Sequence, residues 1–296
     1  MDIDSYRRDG VIKLEQAFDP HWLATLHAGI DRDLADLSER LEQRTAEGST
    51  ARYCENYWAW SDIPEFEDFL RNSPAAMLAG KLLNAQRINL VMDNWFLREA
   101  GCAARAPWHH DIAYFDFEGT MCVLWLPLES IGSGEGIEFV RGSHRWNKLF
   151  MRVYFDSHQC ALPAGTVNGL HYDAPPDIDA HRDDFDIVSF DLAAGDCLLF
   201  DIRTLHGSPP NFIPRTEQRR FTVRMAAEDA RIRYRGSWAA QERAYFEAAG
   251  HREGDSLNSD FFPTLWASDS SRETRNRRRP YASARSQRRS HPTPGR

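Results

Sequence analysis

The order of the sequence patterns limits the fold more than any other feature of the chain. Residues 87–226 form short apolar stretches separated by Gly-, Pro- and Asp-containing turns, which is typical of β-strands. Residues 15–85 instead repeat apolar side chains at spacings of three and four, which is typical of amphipathic helices. Helices followed by many short strands predict a mainly β protein with flanking helices and a jelly-roll or cupin-like core.

The part before the strands is predicted to contain two helical segments. Asp19 and Pro20 suit the N-cap and the first position of a helix. We predict that this helix continues to about residue 46 on the strength of its periodicity. The apolar residues of its buried face are Leu23, Leu26, Ile30, Leu34, Leu37 and Leu41. Residues 63–83 are also predicted to be helical, and the aromatic residues of 53–60 either line a pocket or pack in the core.

The strand predictions leave one long connection. The predicted strands are 10–14, 88–92, 95–97, 121–128, 137–140, 185–190, 197–200 and 219–225, and a short helix is predicted at 239–249. Residues 151–184 are polar and rich in Pro and Asp, and we interpret them as a loop. A loop of this length within a compact domain is usually a lid or another functional excursion.

Charge is distributed unevenly and argues against nucleic acid as a partner. The chain of 296 residues carries a net charge of −8. Residues 267–296 contain nine Arg but only Asp269 and Glu273 as acids, which gives +7 there and leaves −15 on residues 1–266. An acidic body does not suit nucleic acid. We predict one domain over 1–266, followed by a disordered Arg-rich tail over 267–296.

The cysteines and the absence of long apolar runs predict a cytoplasmic protein. The five cysteines (Cys54, Cys102, Cys122, Cys160 and Cys197) are widely spaced and form no Cys-x-x-Cys pair, which indicates reduced thiols. No basic and then apolar signal follows Met1, and no run of about 18 apolar residues exists. We therefore expect no membrane partner.

Two separate segments contain residues that suit a metal site. Residues i and i+2 of a strand share a face, about 6.6 Å apart, so His109 and Asp111 can present an imidazole and a carboxylate to one point. His110 between them would point away. A His-x-Asp triplet alone is a weak signal. A distant third ligand, His206, completes the triad of two histidines and one carboxylate that binds ferrous iron and leaves positions open for oxygen and a co-substrate.

Such an iron site needs an electron donor, usually 2-oxoglutarate, and therefore an arginine for its far carboxylate. The arginine should lie one strand beyond the distal histidine and face inward. Phe221 and its alternate neighbours form the apolar face of the strand 219–225, so parity places Arg220 and Arg224 on the opposite face. Arg220 is the first candidate for 2-oxoglutarate binding and Arg219 the second.

Several motifs together point to a known family. They are Tyr6-Arg7-Arg8-Asp9-Gly10-Val11, Pro107-Trp108-His109-His110-Asp111, Trp125-Leu126-Pro127-Leu128, residues 136–145, residues 192–196, residues 206–211 and residues 260–266. In these motifs the chain resembles the phytanoyl-CoA dioxygenase family of iron(II)- and 2-oxoglutarate-dependent oxygenases. The resemblance covers about residues 3–266 and depends on the combination, because each motif alone is common.

The resemblance implies a double-stranded β-helix fold, with iron(II), 2-oxoglutarate and O2 as cofactors. It implies His109, Asp111 and His206 as the catalytic iron ligands. It also implies that Trp125, Ser208 and Asn94 lie in the 2-oxoglutarate pocket. The sequence departs from the family at the arginine, because the usual position is occupied here by Glu217. Arg219 and Arg220 come slightly later, so we expect a small insertion and both remain candidates.

The expected activity is oxidation of a C–H bond in a small organic molecule, such as a metabolite or natural-product intermediate, with release of succinate and CO2. Related halogenases have a small residue where this chain has Asp111, so we expect hydroxylation, desaturation or another oxidation, and not halogenation. His110, Tyr114 and Phe115 are assigned to the substrate pocket. Two alternatives remain. One is a cupin-like protein that binds a metal or small molecule without turnover, and the other is an oxygenase of nucleic acid, which the acidic body disfavours.

Overall fold

Strands predominate in the computed structural model, which describes residues 1–35, 41–45 and 50–268. The helices in these ranges are α1 (Ile3–Asp9), α2 (Pro20–Ala35), α3 (Pro64–Asn72), α4 (Ala75–Leu83) and α5 (Ala240–Ala248). The strands are β1 (Val11–Leu14), β2 (Glu42–Thr45), β3 (Arg52–Tyr57), β4 (Arg87–Arg98), β5 (Phe117–Glu118), β6 (Met121–Pro127), β7 (Glu138–Val140), β8 (Gly165–Val167), β9 (Leu170–Tyr172), β10 (Ile187–Val188), β11 (Cys197–Asp201), β12 (His206–Gly207), β13 (Gln218–Ala227), β14 (Arg231–Ile232) and β15 (Thr264–Ala267). The predicted mainly β fold with flanking helices is confirmed.

Eight strands form an antiparallel major sheet. Its order is β1-β11-β6-β13-β4-β3-β2, and β15 also pairs with β4. The central strand β13 places Thr222 opposite Trp125 of β6 on one side and opposite Asn94 of β4 on the other. Neighbouring strands therefore come from distant parts of the sequence, as they do in jelly rolls.

A smaller sheet faces the major sheet and carries both predicted histidine ligands. Its order is β10-β7-β12, and His206 of β12 pairs with Phe139 of β7. On its other side His206 forms an isolated bridge with His109, which extends this sheet by one residue. Phe139 and Phe200 belong to the apolar layer between the two sheets. The two sheets thus enclose the region in which the histidines meet.

Helices α2, α3 and α4 cover the outer face of the major sheet. Leu124 and Leu126 of β6 share the outer apolar cluster with side chains of these helices, such as Phe66. Val123 and Trp125, which alternate with them, face the layer between the sheets. Because both faces of this strand are buried, its sequence is continuously apolar.

The start of α2 is as predicted, but its end is not. Asp19 accepts a hydrogen bond from the backbone N–H of Trp22 at 3.2 Å, as expected for an N-terminal cap. The helix then ends at Ala35, and the predicted continuation through Leu37 lies outside the described residues. Beyond that gap, β2 pairs with β3 where helix was predicted. Pairing with a neighbouring strand overrides the helical periodicity there.

Three smaller differences concern the ends and the long loop. Residues 3–9 form α1, where no helix was predicted, and the predicted strand 185–190 is reduced to Ile187–Val188. The predicted loop 151–184 contains the hairpin of β8 and β9. Ala267 ends β15, and the predicted tail beyond Ser268 lies outside the described residues. No helix in the described ranges is long and apolar enough to cross a membrane.

Candidate metal centre

The three side chains predicted as metal ligands converge between the two sheets. The ligand atoms of His109, Asp111 and His206 all lie within 4.8 Å of one another. Asp111 Oδ1 is 3.4 Å from His109 Nε2 and 3.5 Å from His206 Nε2. All three residues are buried. Two imidazoles and one carboxylate in this arrangement suit one face of an iron(II) ion, with the other positions open.

The backbone brings these ligands together differently from the predicted strand. His109 and His206 exchange two backbone hydrogen bonds of 2.9 and 2.8 Å, so both lie on the smaller sheet as expected. Asp111, however, begins a 3-10 turn, Asp111–Tyr114, and is not part of a strand. The predicted i, i+2 strand geometry is therefore wrong for Asp111, although the side chains still meet.

Backbone carbonyl groups fix the orientation of both imidazoles. His109 Nδ1 is 2.8 Å from the carbonyl oxygen of Pro107, and His206 Nδ1 is 2.9 Å from that of Thr204. A carbonyl oxygen only accepts, so each Nδ1 carries a proton and each Nε2 offers a lone pair. Burial and the neighbouring His206 lower the pKa of His109. A neutral imidazole is the form that binds metals.

Arg224 holds the carboxylate of Asp111. Its Nε donates to Asp111 Oδ2 at 2.8 Å, and its Nη1 donates to Thr222 Oγ1 at 2.8 Å. Burial by itself would raise the pKa of Asp111, but the adjacent Arg224 guanidinium holds it well below its usual range. Asp111 is therefore ionised and keeps Oδ1 directed towards the histidines.

A small cavity of about 80 Å³ adjoins the histidines and contains three of the residues predicted to bind 2-oxoglutarate. Its walls include Trp125, Ser208 and Arg220, together with His109 and His206. These residues come from β6, β12 and its following turn, and β13. The structure thus brings the first-choice arginine to the same cavity as the two histidines.

Arg220 has an incomplete set of partners in this cavity. Its Nη2 donates to Gln218 Oε1 at 2.5 Å, but its buried Nη1 has no hydrogen-bond acceptor among the described residues. Its guanidinium carbon lies 5.5 Å from the centre of the Trp125 ring. Burial and the nearby Arg98 lower the pKa of Arg220 to about 10. A buried cation of this kind favours an anionic ligand.

Arg219, the second candidate, lies on the other face of β13. Its guanidinium donates to Glu217 at 2.8 Å and to Asp31 at 2.7 Å, and it does not line the cavity. Phe221, on the same face of the strand, belongs to the outer apolar cluster under the helices. The structure therefore separates the two neighbouring arginines as the parity argument predicts.

A larger cavity of about 320 Å³ lies on the Asp111 side of the centre. Tyr114 and Phe115 line it, as assigned for the substrate pocket, and the Tyr114 ring centre lies 5.3 Å from that of His109. Asn94, assigned to the 2-oxoglutarate pocket, lines this larger cavity and not the smaller one. Its side chain donates to the carbonyl oxygen of Asn56 at 2.9 Å, which turns it away from the smaller cavity.

His110 lines neither cavity, which corrects its assignment to the substrate pocket. Its Nε2 lies 3.0 Å from the backbone N–H nitrogen of Phe150 and accepts from it, while the two rings pack with centres 5.3 Å apart. Burial lowers the pKa of His110 to about 3. This histidine is therefore neutral and anchors the chain that follows the smaller sheet.

Sequence reasoning did not find the charged pairs of the larger cavity. Arg152 lies 3.2 Å from Glu242, and Arg44 lies 2.6 Å from Glu55, and all four line the cavity. No motif marks them, because Arg44 and Glu55 meet only through the pairing of β2 with β3, and Arg152 and Glu242 are 90 residues apart.

Two aromatic segments supply further walls. Phe155, from the loop interpreted as a lid, lines both cavities, and its ring centre is 5.0 Å from that of His109. Of the aromatic stretch 53–60, Tyr53 lines the smaller cavity and Tyr57 the larger, whereas Trp58 and Trp60 are buried. The two readings of that stretch each hold for part of it.

Comparison with solved structures shows the same fold. One similar structure is SnoN, described as a non-haem alpha ketoglutarate-dependent epimerase from nogalamycin biosynthesis. Its complex with Fe3+, alpha ketoglutarate and nogalamycin RO superposes with a TM-score of 0.67 and 21% sequence identity, over 89% of this chain and 97% of that chain. SnoK, a carbocyclase of the same biosynthesis, gives 0.64 and 17%, over 88% and 94%. EctD from S. alaskensis, with 2-oxoglutarate and 5-hydroxyectoine, gives 0.58 and 17%, over 78% and 76%.

Comparison of the sequence with protein families supplies the relationship. A search of curated proteins finds no match. The family profile of phytanoyl-CoA dioxygenase (PhyH), however, matches residues 6–222, which include all three candidate ligands and Arg220. The motifs, the antiparallel fold and the buried histidine–aspartate–histidine centre agree with this match. The chain belongs to the phytanoyl-CoA dioxygenase family.

Proposed function

We propose that the protein is a non-haem iron(II)- and 2-oxoglutarate-dependent oxygenase of a small organic molecule. The observation that carries the proposal is the buried centre of His109, Asp111 and His206 beside a cavity that contains Arg220, whose Nη1 has no acceptor among the described residues. A metal centre alone would suit many proteins. A metal centre next to a buried cation without a counter-ion suits a co-substrate that both chelates the metal and carries a second carboxylate.

The side chains present fit both groups. The two Nε2 atoms and Asp111 Oδ1 would hold the iron, and Arg220 Nη1 would donate to the far carboxylate of 2-oxoglutarate. Ser208 and Trp125 would line the path between them. When bound, iron and 2-oxoglutarate supply oxidation by O2, with release of succinate and CO2.

The remaining residues orient the reactants and exclude water. Arg224 keeps Asp111 ionised and correctly rotated, and the carbonyl groups of Pro107 and Thr204 keep both histidines in the ligating tautomer. Phe155 and Tyr114 pack edge-on against the His109 ring, at 5.0 and 5.3 Å between centres. They form an apolar wall of the larger cavity beside the centre, where the substrate would bind.

The reaction on the substrate is proposed only as oxidation at a C–H bond. SnoN is described as an epimerase and SnoK as a carbocyclase, so this fold accommodates several outcomes beyond hydroxylation. The acidic body supports a small-molecule substrate over nucleic acid. All five cysteines are free thiols, which supports a reducing compartment such as the cytoplasm.

Succinate formation tests the proposal. The purified protein, given iron(II), O2 and 2-oxoglutarate, should form succinate slowly without substrate and faster with one, and His206→Ala should abolish this. A folded wild-type protein that binds metal but forms no succinate with any member of a broad panel would favour the non-catalytic cupin-like alternative. Deletion of residues 269–296 should leave succinate formation unchanged, since the candidate ligands and the residues lining both cavities all lie before residue 243.

A further inference from the structure

The larger cavity contains an ion pair that the metal centre does not use. Arg152 lies in the loop after β7, and Glu242 lies in the first turn of α5. Arg152 Nη1 is 3.2 Å from Glu242 Oε1, and both residues line the cavity. Glu242 lies beyond residue 222, where the family profile ends. The matched profile therefore does not include Glu242.

Each member of the pair keeps one polar atom without a partner. Arg152 Nε and Glu242 Oε2 are both shielded from solvent and make no hydrogen bond with the described residues. Arg152 Nη1 also donates to the carbonyl oxygen of Trp238 at 2.6 Å. An unpaired buried donor and an unpaired buried acceptor are each unfavourable, and a ligand that pairs with both relieves the cost.

The surrounding structure holds the pair at a fixed place near the metal centre. The Arg152 guanidinium carbon is 4.9 Å from the centre of the Tyr114 ring, and that ring is 5.3 Å from the His109 ring. One aromatic ring therefore separates the pair from a metal ligand. The indole N–H of Trp238 donates to the carbonyl oxygen of Ala113 at 2.9 Å, which ties the start of α5 to the turn that carries Asp111.

The two free atoms define the chemistry of the group they can bind. Arg152 Nε can only donate and Glu242 Oε2, when ionised, can only accept. A hydroxyl group accepts from the first and donates to the second. An ammonium group has no acceptor for Arg152, and a carboxylate has no donor for Glu242. A change of side-chain torsion, common on ligand binding, presents both atoms to the cavity.

We propose that Arg152 and Glu242 bind a hydroxyl group of the substrate and thereby orient it towards the metal centre. The substrate class is a hydroxylated ring or chain whose apolar part packs against the aromatic walls, Tyr57, Tyr114 and Phe115. This inference rests on the proposed function, because it takes the larger cavity as the substrate site.

Three probes that share one ring test the assignment. They are trans-cyclohexane-1,2-diol, cyclohexylammonium and cyclohexanecarboxylate, and ligand-observed NMR measures their affinities for the full chain with 2-oxoglutarate and zinc(II) as a diamagnetic substitute for iron(II). The diol should bind most tightly. The double variant Arg152→Met/Glu242→Leu should weaken diol binding about tenfold or more, since two hydrogen bonds to charged groups are lost.

Two further variants separate recognition from structural damage. Glu242→Gln keeps an acceptor oxygen at the same place and should retain more diol affinity than Glu242→Leu. Arg71→Met/Glu67→Leu removes an exposed pair of 2.8 Å on α3 and should leave diol binding unchanged. The affinity for 2-oxoglutarate should change by no more than about twofold in any of these variants, because the sites are separate.

Tighter binding of cyclohexylammonium or cyclohexanecarboxylate than of the diol would overturn the inference. Equal diol affinity in the wild type and the Arg152→Met/Glu242→Leu variant, or no binding of any probe at tens of millimolar, would also overturn it. Failure of the proposed function shows separately, as an absence of metal-dependent 2-oxoglutarate binding by the wild type. In that case the rank order of the probes, measured without the metal and 2-oxoglutarate, still decides the hydroxyl assignment.

Discussion

The two cavities beside the metal centre differ in whether their charged side chains are paired. The smaller one contains Arg220 with an unpaired nitrogen and no acidic partner in the described part of the chain. In the larger one, Glu55 is paired with Arg44 and Glu242 with Arg152. A buried cation without a partner favours an anionic ligand, whereas paired charges favour a neutral polar one. The contrast supports the proposal that the co-substrate and the substrate bind in different cavities.

Removal of a metal ligand should have the largest effect on this comparison, because both cavities adjoin the ligands. His206→Ala leaves one histidine and one carboxylate as ligands. Loss of a residue that only hydrogen-bonds to a ligand lowers metal affinity by up to about 100-fold, so loss of the ligand itself should lower iron(II) affinity by at least that factor. Isothermal titration under nitrogen measures it. His110→Ala is the matched control, since His110 lines neither cavity, and it should keep metal affinity. An equal loss in both variants would contradict the assignment of the centre.

The neighbouring arginines of β13 offer a sharper test of the smaller cavity. Arg220→Met removes the proposed partner of the 2-oxoglutarate carboxylate and should weaken its binding by about 2–5 kcal/mol, roughly 30-fold or more. Arg219→Met removes only contacts with Glu217 and Asp31 and should leave the affinity unchanged. Titration of the metal-loaded protein with 2-oxoglutarate measures both. A larger loss of 2-oxoglutarate affinity in Arg219→Met than in Arg220→Met would instead identify Arg219 as the partner of the carboxylate.

Arg220→Met, which should weaken 2-oxoglutarate binding, should increase the stability of the ligand-free protein. Arg220 is a buried cation that forms no ion pair with the described residues, and burial lowers its pKa to about 10. Arg220→Met should therefore stabilise the ligand-free protein by about 1 kcal/mol or more against urea. With saturating iron(II) and 2-oxoglutarate the wild type should regain the difference through linkage. If Arg220→Met instead destabilises the ligand-free protein, Arg220 stabilises the fold, which would contradict its assignment as a ligand-binding residue.

The pH dependence of stability should show the smallest effect, and it concerns the larger cavity. Burial raises the pKa of Glu55 and of Glu242 above 4.5, despite the adjacent Arg44 and Arg152. A raised carboxyl pKa stabilises the fold below about pH 4.5, and this contribution is lost as the pH rises through the folded-state value. Relative to Glu55→Gln/Glu242→Gln, the wild type should thus lose stability in urea unfolding as the pH rises above 4.5.

A surface carboxyl provides the control of opposite sign. Hydrogen bonds from Arg32 lower the pKa of Glu65, so its contribution is present above pH 4.5 and is lost as the pH falls through the folded-state value. Relative to Glu65→Gln, the wild type should therefore lose stability only on acidification. The same sign for both comparisons would contradict the burial of charge in the larger cavity.

The features that sequence could predict depend on short-range regularities. Alternation along β13 separates Arg220 from Arg219 whatever surrounds the strand, because side chains point to opposite faces in turn. The convergence of His109 and His206 was predictable because the motif and the distant histidine occur in a known combination. The strand predicted for Asp111 was nevertheless wrong, because Asp111 begins a 3-10 turn. Either conformation directs its carboxylate to the same point.

The features that sequence could not predict depend on contacts between distant segments. Arg152 and Glu242 are 90 residues apart, and nothing local marks either as part of a cavity. The end of α2 was missed because apolar Leu41 continues the helical spacing, yet it packs against the core from outside the helix. Both features are thus determined by contacts with other segments, which a local sequence pattern does not record.

Anaerobic addition of iron(II) and 2-oxoglutarate to the purified protein tests the central claim most directly. Chelation of 2-oxoglutarate by iron(II) gives a weak visible charge-transfer band. We expect this band in the wild type and in Arg219→Met, its loss in His206→Ala and Asp111→Ala, and a shift to higher 2-oxoglutarate concentration in Arg220→Met. A well-folded wild type that binds iron(II) but shows no band at any 2-oxoglutarate concentration would contradict the oxygenase assignment.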